Sequence, residues 1–217
     1  MIQGLLTVAL ICAALLNPRP AMAHPHVFVD ARIDAVVDDH GVLQALEVTW
    51  RFDPFHTLYI LSFDGVTPSD DGGLTLADQD ALSAAYTDWQ GGFDGFAKLF
   101  IDGAPIALAS PSAVRASLKN DQLEISFTRV LPHPEVLADV KAEIAIYDAT
   151  YYHAIKVAAP PRIRGQGQGC HATLLAFDPD RLSASSQAAL EDLHKERAPE
   201  VENVGRLFAD RITLSCA

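Results

Sequence analysis

Alternation with a period of two dominates this chain. Val27, Val29, Ala31, Ile33, Ala35 and Val37 fall on one face of an extended segment, and His26, Phe28, Asp30, Arg32 and Asp34 fall on the other. A second alternating run, Leu46, Val48, Trp50 and Phe52 against Glu47, Thr49, Arg51 and Asp53, follows the turn residues Asp38-Asp39-His40-Gly41. The two predict a long hairpin. Matching apolar face to apolar face with Val37 opposite Val42 places Ile33 opposite Leu46 and Val29 opposite Trp50. On the outer face the same register sets Arg32 against Glu47 and His26 against Asp53, close enough for the carboxylate to orient the imidazole or share a cation with it.

The period then changes. Asp53-Pro54 ends the strand. Between Thr57 and Phe96 the spacing of Ala81, Leu82, Ala85 and Trp89 predicts a helix over Leu74–Trp89, carried on an insertion around 57–96. Thr67–Asp78 has the outline of a calcium loop, but Thr67 and Ser69 stand where acidic residues are wanted, so an acidic turn capping the helix is the better reading.

Strands resume at Lys98–Ile101 and Ile106–Ala109 around an Asp102-Gly103 turn, then at Val114–Leu118 and Leu123–Val130, with Leu131-Pro132-His133-Pro134 as a break. Lys141–Tyr147 and Tyr151–Val157 flank Asp148-Ala149-Thr150, and His153 shares its face with Tyr151, Ile155 and Val157. A flexible connection from Pro160 to Gly169 leads to a strand over Ala172–Phe177. Helical patterns over Leu182–Arg197 and Glu200–Phe208 precede a closing segment, Arg211–Cys216, and His194 lies on the solvated face of the first. The fold class expected is mainly β (α+β): an antiparallel β-sandwich with a helical insertion and a helical C-terminal segment.

Composition narrows the setting. The apolar run from Leu5 to Leu16 is short for a membrane span, and Ala21-Met22-Ala23 is a cleavage signature, so Met1–Ala23 reads as a secretory signal peptide and 24–217 as a single periplasmic domain without stable membrane insertion. The net charge of −12 disfavours nucleic acid and favours cations. Outside the leader only Cys170 and Cys216 remain, and two cysteines in an oxidising compartment pair as a disulfide; a thiolate site with His171 is the competing arrangement.

The candidate chemistry lies at the start of the mature chain. His24-Pro25-His26 puts two imidazoles beside a free amine, but Pro25 has no amide proton to lose, which closes the amide-bound square-planar copper or nickel route. A side-chain site remains, with His24, His26 and partners from elsewhere in the chain; His153 is expected as the third imidazole, and whether it or His56 completes the site stays open. Imidazole with carboxylate suits a divalent transition metal: zinc, nickel, cobalt or copper. No nucleophile motif accompanies it, so binding is favoured over catalysis. The alternatives are a metalloenzyme with an N-terminal histidine copper site and a metal-free protein-interaction module.

His24-Pro-His-Val-Phe-Val-Asp-Ala31, Thr49-Trp-Arg-Phe-Asp53 and Tyr147-Asp-Ala-Thr-Tyr-Tyr152 together resemble a family of uncharacterised bacterial periplasmic proteins described as the periplasmic component of an ABC-type, nickel- or cobalt-linked transport system. The resemblance implies divalent-metal handling by His24 and His26, with Asp53 and Asp148 at matching motif positions and a membrane metal transporter as partner. The two large α/β lobes of a hinged solute-binding protein are not part of the pattern.

Overall fold

A computed structural model describes residues 25–89, 93–183 and 203–216. Among the described residues eleven strands form two sheets. The first runs β5 (Ser112–Lys119), β6 (Gln122–Val136), β2 (Val42–Phe52), β1 (Val27–Val37) and β8 (His153–Val157), with β9 (Ile163–Gly165) also on β1. The second runs β10 (Cys170–Leu175), β11 (Asp210–Cys216), β7 (Ala142–Ile146), β3 (Ala97–Ile101) and β4 (Ala104–Ile106). Alternating residues of both sheets meet in one core, where Val29, Ile33, Val48, Ile125, Leu99, Ile144, Ile212 and Leu214 are all buried. Trp50 sits at its aromatic centre, with the rings of Phe127, Phe96 and Trp89 at 4.6, 5.4 and 5.9 Å. This is the expected sandwich, except that β8 and β9 run parallel to β1 while the other pairs are antiparallel.

The hairpin register departs from expectation. Asp38 closes a tight turn, its Oδ1 accepting the His40 and Val42 amides, with Gly41 in the left-handed region at φ 72°. A bulge follows, since Val36 faces Ala45 while Val37 faces Leu43. Turn and bulge together slide the strands by two residues, so Ile33 faces Val48, Val29 faces Phe52 and Arg32 faces Thr49. An even slip keeps every side chain on its predicted face, which is why the burial pattern agrees while the cross-strand partners do not.

β6 runs on through Pro132 and Pro134, where a break was expected. Beyond Thr128 it has no β5 partner, and an edge tolerates residues that cannot donate to a ladder. Arg129, only 5% exposed, donates to the carbonyls of Ala109, Asp94 and Leu108 and lies over the Trp89 ring. That one guanidinium fastens the connections on either side of β3 and β4 to the central sheet.

Between β2 and β3 the chain forms α1 (Pro54–Phe63) and α2 (Leu76–Ala85). α2 starts later than expected because Thr75 caps it, with Thr75 Oγ1 accepting the Asp78 amide and its hydroxyl donating to Asp78 Oδ2 at 2.6 Å, and it ends at Ala85, short of Trp89. Asp78 is thereby a capping partner, in keeping with the acidic-turn reading of Thr67–Asp78. α1 is tied to β6 by the buried Thr57, whose Oγ1 accepts the Leu123 amide at 3.0 Å. Thr57→Val preserves the shape but orphans that N–H, and it is expected to cost about 1–2 kcal/mol in urea unfolding.

Cys170 and Cys216 form the expected disulfide. The helix expected over Leu182–Arg197, with His194, lies almost wholly outside the described residues. The second is a 3-10 turn over Val204–Phe208, and β11 follows it. Among the described residues no helix is long and apolar enough to cross a membrane.

Candidate functional site

β7 ends one sheet's strand and β8 begins the other's, so the intervening Asp148-Ala149-Thr150-Tyr151 turn is a corner between sheets rather than a hairpin loop. The Tyr151 amide donates to the Asp148 carbonyl at 3.0 Å, and Tyr151 takes a left-handed φ of 59°. That reversal brings His153 back onto the Asp148 carboxylate. Oδ2 accepts the His153 amide at 3.0 Å and lies 2.7 Å from Nδ1 of its ring; Oδ1 accepts the Thr150 amide and hydroxyl, both at 2.9 Å. Burial alone pushes the Asp148 carboxyl up, but the hydrogen bonds from His153 and Thr150 together outweigh it and hold the group well below the usual carboxylate range. Gly205 packs on this corner so closely that a Cβ there would collide with the Asp148 carbonyl.

An ionised Asp148 accepts a hydrogen bond from Nδ1–H, so in the neutral ring Nε2 of His153 is the lone-pair nitrogen. A carboxylate bound behind an imidazole is the usual support of a metal-ligating histidine. His153 lies opposite Val27 in the parallel register and shares the inward face with Ile155 and Val157, with its ring 4.8 Å from that of Phe96.

α1 delivers a second imidazole to the same place. Asp53 caps the helix, with Oδ1 accepting the His56 amide at 2.9 Å, and Pro54 occupies its first turn. His56 thus sits half-buried against Phe52, with its ring 6.4 Å from that of His153 and nearly perpendicular to it. Burial first, and second the repulsion His153 would exert when its ring is protonated, push its pKa below the ordinary imidazole value, only partly countered by Asp53. His56 is therefore neutral, and a nitrogen donor, at neutral pH.

The five predicted metal residues do not form one cluster. His153 and Asp148 come together, and His56, whose role the sequence left open, joins them. His24 lies outside the described residues. His26 is exposed, its amide donating to Tyr152 O at 2.9 Å and its ring 4.8 Å from that of Tyr152. The slipped register puts Phe28, not His26, beside Asp53: Asp53 Oδ2 accepts the Phe28 amide at 3.0 Å, and the Asp53 amide donates back to Phe28 O. Each Asp53 oxygen thus accepts a backbone amide, which gives the residue a structural part at the start of α1. Among the described residues, no group of three His, Cys, Asp or Glu side chains is arranged to hold a metal ion. The signal for His56 was present in Asp53-Pro54, a cap followed by a first-turn proline, which marks a helix start as readily as a strand end.

A family model described as "Protein of unknown function (DUF1007)" matches residues 9–216. An uncharacterized protein of Haemophilus influenzae is 23% identical over 206 residues, which cover 90% of this chain and 92% of that one. Among solved structures, AChBP from Bulinus truncatus aligns with 93% of this chain and 91% of its own, at 9% identity and a TM-score of 0.42.

Proposed function

The chain belongs to the DUF1007 family of proteins of unknown function, and within it we propose a periplasmic carrier of a divalent transition metal that serves a membrane metal transporter. The observation that carries this reading is the backing of His153 by an ionised Asp148 beside the neutral His56. Two imidazole nitrogens, one of them oriented by a carboxylate, suit zinc, nickel, cobalt or copper(II). The metal is cargo, and its remaining coordination positions fall to water or to a donor of the transporter. His26, exposed just ahead of β1, and its sequence neighbour His24 are a second candidate donor pair. The secretory leader expected over Met1–Ala23 and the disulfide agree with an oxidising compartment outside the cytoplasm.

Calorimetric titration of zinc, nickel, cobalt and copper(II) into the disulfide-bonded protein beginning at His24 tests the proposal. One ion is expected at the His153–His56 site, with affinity at least about tenfold lower in His153→Ala, since losing the ligand costs no less than losing its carboxylate support. His24→Ala/His26→Ala should lose the second donor pair and keep the His153–His56 site. Binding that is equal and weak in all three proteins would sink the metal reading.

A further inference from the structure

One side of α1 faces the core through Thr57, Ile60 and Leu61, while the opposite side is apolar and open to solvent. Phe55, Leu58, Tyr59 and Phe63 are 80, 63, 59 and 79% exposed, and they follow the i, i+3, i+4, i+8 spacing of a single helix face. The rings of His56, Tyr59 and Phe63 are stacked in line along the helix, at 5.7 and 6.2 Å. No charged side chain lies between Pro54 and Phe63. The described residues leave this surface open to solvent.

We propose that this face is a two-fold contact between copies of the chain, formed by antiparallel packing of α1 on α1. Isologous contacts need a self-complementary surface, and this one qualifies. An antiparallel pair sets Phe55 of one copy against Phe63 of the other and Tyr59 against Tyr59 at the axis. With ~150–250 Å² per aromatic side chain, the four residues offer roughly 500 Å² per copy. Two copies then bury about 1,000 Å², the size at which specific interfaces begin. The chain's net charge of −12 would oppose association across a charged surface, and α1 brings none to the contact. A bilayer is the poorer occupant, because helices that lie in an anionic interface carry Lys or Arg along their polar edge and α1 has neither. The contact requires no metal and stands apart from the carrier reading.

Sedimentation of the disulfide-bonded protein across the micromolar range decides it. The wild type is expected to show a reversible monomer–dimer equilibrium, and Leu58→Asp/Phe63→Asp to weaken association by at least about tenfold, or 1.4 kcal/mol, with an unchanged unfolding midpoint at dilutions where both are monomeric. Tyr59→Cys, on the axis, should form a disulfide-linked dimer under mild oxidation, and Asp121→Cys, on the exposed β5–β6 turn, should not. A wild type that stays monomeric at every concentration overturns the proposal, as does a dimer that the double variant leaves intact. Flotation with phosphatidylcholine vesicles, lost in the double variant, would assign the face to a membrane and overturn it too.

Discussion

Removing the Cys170–Cys216 bond, by reductant or as Cys170→Ser/Cys216→Ser, is expected to lower the unfolding free energy by about 4 kcal/mol, the chain-entropy value for the 46-residue separation it closes. The two cysteines are directly opposed in the β10–β11 register, at the first residue of one strand and the last of the other. Cys216 also lies against Gly41 in the β1–β2 turn. The bond therefore pins the C-terminal strand to its neighbour, and β11 in turn pairs with β7, the strand that ends at the Asp148 corner. Urea unfolding with and without reductant measures the effect. A midpoint shift equivalent to less than about 1 kcal/mol, well below the usual range for a native disulfide, would mean that β11 holds its place through the ladder alone. The scale of the effect bears on where the protein works, because a chain that draws so much of its stability from a disulfide reaches it only where thiols are oxidised.

What could be read from the chain was the direction of side chains; what could not was their partners. The faces of β1 and β2 came out of the alternation because a period of two is a local property of extended backbone. The pairing of His26 with Asp53 depended instead on counting across a turn, and the Asp38 turn and the bulge beside Gln44 moved that count by two. His153 was correctly placed inward, but its partnership with Asp148 arises from a corner between sheets that no pairing pattern announces. α1 was hidden for a different reason. A helix with apolar residues on every side has no periodic signature, and here the outer apolar face is exposed rather than buried. The prolines of β6 misled because the rule against proline applies to a regular ladder, and these fall beyond β5 and in the irregularity where the β2 register steps from Ala45 opposite Val130 to Leu43 opposite Glu135.

Asp148→Asn should have the largest effect on the site. The carboxylate accepts four hydrogen bonds, two from Thr150 and two from His153. An amide in its place turns one acceptor atom into a donor, so whichever way it is oriented it meets two donors with a third. Losing two charge-assisted bonds, with their donors left partly buried, is expected to cost about 3 kcal/mol in unfolding free energy. The pH dependence identifies the cause. A carboxyl whose pKa is depressed in the folded state contributes its stability in full above the ordinary carboxylate range, about pH 4, and loses it as the pH falls through its own lower value. Wild type and variant should therefore differ most near neutrality and converge in strong acid. Metal affinity should fall by about 10–100-fold, the usual consequence of removing the carboxylate behind a ligating imidazole. His153→Gln separates the two roles, because it removes the imidazole donor while leaving Asp148 its backbone and Thr150 bonds. If the asparagine variant loses stability but binds metal as the wild type does, Asp148 is a corner post of the fold and not the support of a ligand.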